Sequence, residues 1–405
     1  MNRSRRRFLA LSGLGLSSGA VGLAYVKGIR FPPLQLMPGE APTHVNHDGI
    51  YAAAEGAIFQ SVTDGALLFR AFVPEPRLAL HGRDGQPWRV ILQNTHPDAS
   101  LSSSTPQSQL REERDNLTRI VVGRARLETT RLAWQFPKQD RFRFAAIGDT
   151  GGKAELQWVL QRAADLNADF VLHLGDFNYE DGDFERALKA FNAASIPTFA
   201  AIGNHEFHDG WRSTYNQFIQ LIGPGNSAFS LGGIQFVNLD TAADFWPPYR
   251  GARMRLLQGL PALTESGPLS DYVAFTHRPL VDPDPARNHD INGPGEADWL
   301  RETLLGLGVK NLLVGHIHIK KEYDDAGLHT YISGQGLAHA DLIVGKLVAE
   351  ILVGDVQRGR PVQYHWAPLN MPFSTHCSAR SWELLETIEQ PEVLDRLRRL
   401  CGGTG

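Results

Sequence analysis

Five short motifs concentrate the residue types that bind metal ions: Gly148-Asp149-Thr150-Gly151, Gly175-Asp176-Phe177-Asn178-Tyr179, Gly203-Asn204-His205-Glu206, Thr276-His277 and Gly315-His316-Ile317-His318. Carboxylate and phenolate oxygens suit a hard, highly charged ion, and imidazole suits a borderline divalent one. Together the motifs hold enough donors for two adjacent ions. Asp149 is trailed by Gly151 and Gly152, which let the backbone turn sharply beside an ion; taken alone, an aspartate there reads as a helix cap. Asp176 stands in an equivalent place after Val171-Leu172-His173-Leu174, with Tyr179 three residues on. Asn204 offers a carbonyl oxygen, and the neighbouring His205 an imidazole that can face a leaving group. His316 and His318 flank one residue, so both rings leave the same face of an extended segment. The chemistry expected of this set is hydrolysis at a dinuclear metal site.

The elements that must position these motifs are legible as apolar runs. Phe142–Ile147, Phe170–Leu174, Thr198–Ile202, Ile234–Leu239, Tyr272–Thr276 and Asn311–Val314 read as buried strands. Amphipathic stretches at Lys153–Leu166 and Glu296–Leu305 read as helices between them, which predicts a layered α/β domain. Each motif follows a strand, so the ligands are expected on loops at the carboxyl edge of the sheet. Lys346–Val353 and Gln363–Trp366 read as closing strands. Before this domain, short β-rich runs at Leu67–Val73, Trp88–Gln93, Ile120–Ala125 and Arg131–Gln135 predict a small all-β sandwich. Thr95–Thr118, rich in Ser, Pro and charge, reads as a long surface loop. The expected organisation is a signal segment over 1–30, a β-sandwich over 40–138, an α/β domain over 139–370 and a helical tail over 371–405.

From about Phe142 to Gly336 the motifs resemble the calcineurin-like metallophosphoesterase superfamily, and within it the purple acid phosphatase branch. Two details select the branch: Asp149-Thr150-Gly151 stands where most of the superfamily has Asp-x-His, and the second motif carries Tyr179. The resemblance implies a β-sandwich core flanked by helices, preceded by a fibronectin type III-like domain. It implies that Asp149, Asp176, Tyr179 and His318 hold a ferric ion. Asp176 then bridges to a second ion, usually iron, zinc or manganese, held by Asn204, His277 and His316. The family often shows Val three residues before the histidine of the fourth motif; this chain has Ala274 there with Val273 adjacent, a packing change. The implied activity is hydrolysis of a small phosphate ester by water that the ions activate, with His205 protonating the leaving group.

His208, Arg278 and His289 are candidate contacts to substrate, and Glu206 reads as a residue that orients His205. His173, inside an apolar run, reads as a core histidine. Spacing does not separate a phosphomonoesterase from a phosphodiesterase acting on nucleotides or phospholipid headgroups. That choice is expected to lie in the loops Phe207–Tyr215, Ala243–Arg253 and Arg278–Pro294. Two manganese ions are an alternative metal content, and a non-catalytic cell-envelope binding protein is the alternative from another class.

Ser4-Arg5-Arg6-Arg7-Phe8-Leu9, followed by a mildly apolar stretch to Val26 without an acidic residue, resembles a twin-arginine export signal. It implies the twin-arginine translocation machinery as a partner and a bacterial periplasm or cell envelope as destination. An uncleaved anchor is the alternative reading. Cleavage after Ala24 would remove four arginines and no acidic residue, moving the net charge from −4 towards about −8. Such a chain is not expected to present a general nucleic-acid surface. The two cysteines, Cys377 and Cys401, have no metal-like spacing, and an oxidising compartment would allow them to pair.

Overall fold

The computed structural model describes residues 41–207, 211–242, 250–264, 267–284, 286, 288–291, 294–337 and 349–370. The signal segment, His208, the helical tail and both cysteines lie outside the described residues. The described residues belong to one compact unit.

The all-β region comes first, as two five-stranded sheets. One has the order β1 (His44–His47), β2 (Ile50–Glu55), β5 (Arg77–His81), β10 (Thr130–Gln135), β7 (Ser100–Ser103). The other has the order β3 (Ala57–Thr63), β4 (Ala66–Ala71), β6 (Pro87–Gln93), β9 (Thr118–Arg124), β8 (Arg111–Asp115). Their inner faces bury Leu67, Phe69, Trp88, Val90, Leu92, Val121, Leu132 and Trp134 as one core. Thr95–Thr118 is therefore not one loop. Ser100–Ser103 pairs antiparallel with β10, and Arg111–Asp115 with β9. Both are edge strands, held by their neighbours' backbone rather than by apolar side chains, and charge on an edge strand discourages pairing with other chains.

Four layers follow. The first sheet runs β13 (Thr198–Ala200), β12 (Phe170–His173), β11 (Arg141–Ile147), β20 (Glu350–Gln357), β21 (Gln363–Pro368); the second runs β14 (Ser227–Leu231), β15 (Ile234–Asn238), β16 (Asp271–Phe275), β17 (Asn311–Val314), β19 (Leu328–Ser333), β18 (Lys320–Asp325). Side-chain alternation decides what lies between them. Phe142, Phe144, Phe170 and Leu172 point to a shared core with Phe236, Phe275 and Leu313. Ala145, Ile147 and Val171 point the other way, onto helices α1 (Ala154–Asp165), α2 (Asp183–Ala193) and α3 (Trp211–Leu221). Tyr272, Ala274, Leu312 and Val314 face a further layer in which Leu257 of α4 (Arg250–Gln258) and Leu300 and Leu304 of α5 (Pro294–Leu307) are buried. The fold is thus mixed α/β, a two-sheet core flanked by helices and preceded by the all-β region.

The two parts are joined at an edge. Strand β13 ends the first sheet, and Asn94 of the sandwich occupies its open side: Asn94 Oδ1 accepts from Thr198 N at 3.0 Å and Nδ2 donates to Thr198 O at 2.8 Å. The same amide group donates to Ala71 O at 2.8 Å. A carboxamide thus supplies the donor and acceptor that a further strand would, and covers an edge that would otherwise pair elsewhere.

Candidate metal centre

Strands β11, β12 and β13 pair in parallel, as do β15, β16 and β17, so their carboxyl ends gather on one side of each sheet. Asp149 follows β11, Asp176 follows β12, Asn204 follows β13, His277 follows β16 and His316 follows β17. Asp149, Asp176 and His316 take left-handed backbone angles, with φ of 62°, 60° and 65°. Conformations so rarely adopted by residues other than glycine persist where the surroundings dictate them. Here they turn each side chain off its strand end and into the centre.

The side chains meet in two overlapping groups. Tyr179 Oη lies 3.3 Å from Asp149 Oδ1, 3.4 Å from Asp176 Oδ2 and 3.1 Å from His318 Nε2, and His318 Nε2 is 3.4 Å from Asp149 Oδ1. His277 Nε2 lies 3.0 Å from Asn204 Oδ1, 3.2 Å from Asp176 Oδ2 and 3.2 Å from His316 Nδ1. Asp176 belongs to both groups. Its ligand atom, with one from His277 and one from His316, lies within a 4.8 Å span that could hold an ion. All seven residues named as ligands from the sequence are brought together, His277 included despite Ala274.

The donor chemistry fits metal ions. His277 Nδ1 faces the Leu174 carbonyl at 2.8 Å, which places its proton on that nitrogen and aims Nε2 inward, as outer partners of metal-binding histidines do. Burial opposes charging of His277, but Asp176 and Asp149 outweigh it and lift the imidazole to about 9. Asp176, although buried, is held well below the usual carboxylate range by His277 and then His205. A cation is therefore favoured where these groups converge. A metal ion taken up there displaces the His277 proton, so binding weakens in acid. His316 is driven far the other way, by burial and then by the charges of His277 and Arg278.

Residues 142–320 match the family model of the calcineurin-like phosphoesterases. This segment is similar to the calcineurin-like phosphoesterase domain. The family depends on two metal ions and hydrolyses small phosphate esters. Among solved structures the chain is similar to a dimetal phosphatase from Danio rerio, at 16% identity over 57% of this chain and 100% of that one, with a TM-score of 0.35. It is similar to GAP50, the anchor in the inner membrane complex of Plasmodium, at 13% identity over 57% and 86% of the two chains, with a TM-score of 0.41. A third is the phosphopantetheinyl hydrolase of Mycobacterium tuberculosis, at 12% identity over 49% and 91%, with a TM-score of 0.33. No curated protein matches the chain.

Within this segment, several residues brace the candidate ligands from outside the cluster. Glu206 does not orient the His205 ring. Its Oε2 accepts from Gly203 N at 2.6 Å and Asp176 N at 3.0 Å, and its Oε1 from Phe177 N at 2.9 Å, so it ties the second and third motif loops together. Burial and the charge of Asp176 push this carboxyl up to about 8. The loops pass so closely that a Cβ on Gly203 would lie 2.1 Å from Asp176 Oδ1. Gly175, at φ +91°, would likewise meet Gly203 N and His277 Nδ1 at 2.7 Å. Asp183 holds the next turn, accepting from Tyr179 N at 3.1 Å and Glu180 N at 3.0 Å.

His173 is a core histidine with a specific task. Its Nδ1 accepts from Gly175 N at 3.3 Å, which leaves Nε2 to donate to Thr150 Oγ1 at 2.9 Å. Full burial keeps the ring neutral, lowering it to about 3. It thereby links the first two metal loops from below. The sequence offered a weak signal for these braces, an acidic or imidazole group two to four residues from a candidate ligand. It could not show that their partners are backbone N–H groups of other loops.

Of the candidate substrate contacts, Arg278 is at the centre: its Nη1 lies 2.9 Å from His316 Nε2, and the residue is only 8% exposed. His289 is exposed, with its ring centroid 5.4 Å from that of His316. Asp282 sets its approach by accepting from His289 N at 2.9 Å. His205 is more than a third exposed at the opposite side, its ring 4.2 Å from Tyr179 and its Nε2 4.0 Å from Asp176 Oδ2.

Proposed function

We propose that this chain is an exported phosphomonoesterase of the purple acid phosphatase type, loaded with a ferric ion and a divalent iron, zinc or manganese. The observation that carries the reading is the phenol of Tyr179, whose oxygen lies within 3.4 Å of Asp149, Asp176 and His318. A phenolate among two carboxylates and an imidazole is a donor set for a hard trivalent ion. Asp149, Asp176, Tyr179 and His318 would hold that ion, and Asp176, Asn204, His277 and His316 the second.

Bound ions supply the activated water and much of the charge stabilisation that phosphoester hydrolysis needs. The chain's own residues do the rest. His205, half-buried beside the centre, gives a proton to the departing alkoxide. Glu206, Asp183 and His173 fix the loops so that no reorganisation is needed during reaction. The iron-loaded chain is expected to show a visible charge-transfer band that the Tyr179→Phe variant lacks. An unchanged band in the variant would remove Tyr179 from the iron.

Arg278 supports monoesters over diesters. A phosphomonoester carries nearly two negative charges at neutral pH, and a diester one. At contact range, one extra charge beside a guanidinium is worth roughly 3 kcal/mol at an effective dielectric of about 20. Arg278→Gln is expected to lower kcat/KM for para-nitrophenyl phosphate by ~10²-fold more than for its bis-ester, the excess being the lost charge attraction. Equal losses on both substrates would contradict this role.

The export reading rests on Arg5-Arg6 and the acid-free apolar stretch after them. The twin-arginine machinery moves folded proteins, so metals could be loaded in the cytoplasm before transfer to the periplasm or cell envelope. Slowed export of an Arg5→Lys/Arg6→Lys variant is expected, and export at an unchanged rate would count against it.

A further inference from the structure

Strand β15 leads into no candidate ligand, yet the turn at its carboxyl end reaches the residue that follows His277. Leu239 N donates to Phe275 O at 3.1 Å, which carries the pairing with β16 one residue further. The chain then turns through Asp240-Thr241-Ala242. Asp240 Oδ1 accepts from Ala242 N at 3.0 Å, a side chain closing a turn on the backbone two residues ahead, and so fixes the place of Thr241. Thr241 and Thr276 are both buried.

The Thr241 hydroxyl meets three groups. Its oxygen lies 2.7 Å from Thr276 Oγ1, 2.8 Å from Arg278 N and 3.1 Å from Arg278 O, and Thr276 Oγ1 lies 2.5 Å from Leu239 O. A hydroxyl has one proton to give and two lone pairs that receive. One assignment satisfies the three shortest of these contacts together: Arg278 N–H donates to Thr241, Thr241 to Thr276, and Thr276 to the Leu239 carbonyl. Buried hydrogen bonds linked in this way strengthen one another. The relay fastens the backbone of Arg278 to the end of β15, and the Arg278 carbonyl stands within reach as a second acceptor.

The neighbouring ligand is anchored separately. His277 Nδ1 faces the Leu174 carbonyl at 2.8 Å, and the His277 carbonyl accepts from Gly315 N at 3.0 Å. Neither contact involves Thr241. Two adjacent residues with different tasks therefore have different supports, one for an imidazole aimed at an ion and one for a guanidinium 2.9 Å from His316 Nε2.

We propose that Thr241 is a positioning residue: it sets the backbone from which Arg278 reaches the phosphoryl group, and through Arg278 it tunes the preference for monoesters. This role rests on the reading of Arg278 as the group that meets the second charge of a monoester. Valine at this position keeps the branched shape and removes the hydroxyl, so Arg278 N loses its acceptor in Thr241 while the guanidinium charge stays.

A double-mutant cycle of Thr241→Val with Arg278→Gln tests the coupling, read on para-nitrophenyl phosphate and its bis-ester with the metal-replete full chain. Thr241→Val is expected to lower kcat/KM for the monoester by ~10-fold, mainly as a rise in KM, and for the bis-ester by ~2-fold or less. Metal content per chain should equal wild type. Thr241→Ser, which keeps the hydroxyl, should restore wild-type kinetics. In the Arg278→Gln background Thr241→Val should cost nothing more. An equal cost in both backgrounds, loss of metal in Thr241→Val, or a serine variant as impaired as the valine one would overturn the proposal. Equal losses on both substrates in Arg278→Gln would sink the monoester reading alone; the positioning role then requires that Thr241→Val weaken both substrates and add nothing to Arg278→Gln.

Discussion

Asp176→Asn is expected to cost both metal ions and at least ~10³-fold in kcat/KM, about 4 kcal/mol of transition-state stabilisation. Asp176 is the residue common to the two ligand groups, within 3.4 Å of Tyr179 Oη on one side and 3.2 Å of His277 Nε2 on the other. An asparagine keeps the size but removes the negative charge that raises His277 and compensates a buried pair of cations. It also presents an amide NH₂ where lone pairs must converge. The check is metal content per chain together with kcat/KM. A variant that keeps both ions would show that Asp176 is not the shared ligand.

His205→Ala is expected to act differently, lowering kcat by ~10²–10⁴-fold, the range of general acid catalysis, while metal content stays at wild type. His205 lies at the edge of the centre, and its backbone N–H, which the substitution retains, donates to Asp176 Oδ1 at 2.9 Å. The loss should be smallest for para-nitrophenyl phosphate, whose leaving group needs little help, and largest for an alkyl phosphate. Rates measured over a series of leaving groups check this. Equal losses across the series would mean that His205 does not donate the proton.

These expectations rest on features that differ in how far the sequence revealed them. The six apolar runs before and between the motifs are strands, because a strand buried on both faces has to be apolar throughout. The carboxyl ends of five of them, all but Ile234–Leu239, lead into the candidate ligands. The all-β region was legible where its strands alternate, as at Trp88–Gln93, whose inner residues enter the core. It was not legible at Ser100–Ser103 and Arg111–Asp115, because polar edge strands are specified by partners distant in the chain. Helices α2, α3 and α4 were not singled out, although α2 and α3 are at least as amphipathic as α1.

At the candidate centre, residue types picked out the side chains that meet there, and a resemblance assigned them to two ions. The left-handed turns at Asp149, Asp176 and His316 were hidden, since each depends on close contacts with other loops. The role of Glu206 was misread for the same reason: its partners are three backbone N–H groups on two loops.

The most direct test of a two-ion phosphoesterase is a titration of activity against metal. Metal-free chain, prepared by chelation, is refilled stepwise while the rate of para-nitrophenyl phosphate hydrolysis is recorded. Activity is expected to stay near background through the first ion per chain and to rise with the second, levelling at two. Full activity with no ion or with one would contradict the shared centre built around Asp176.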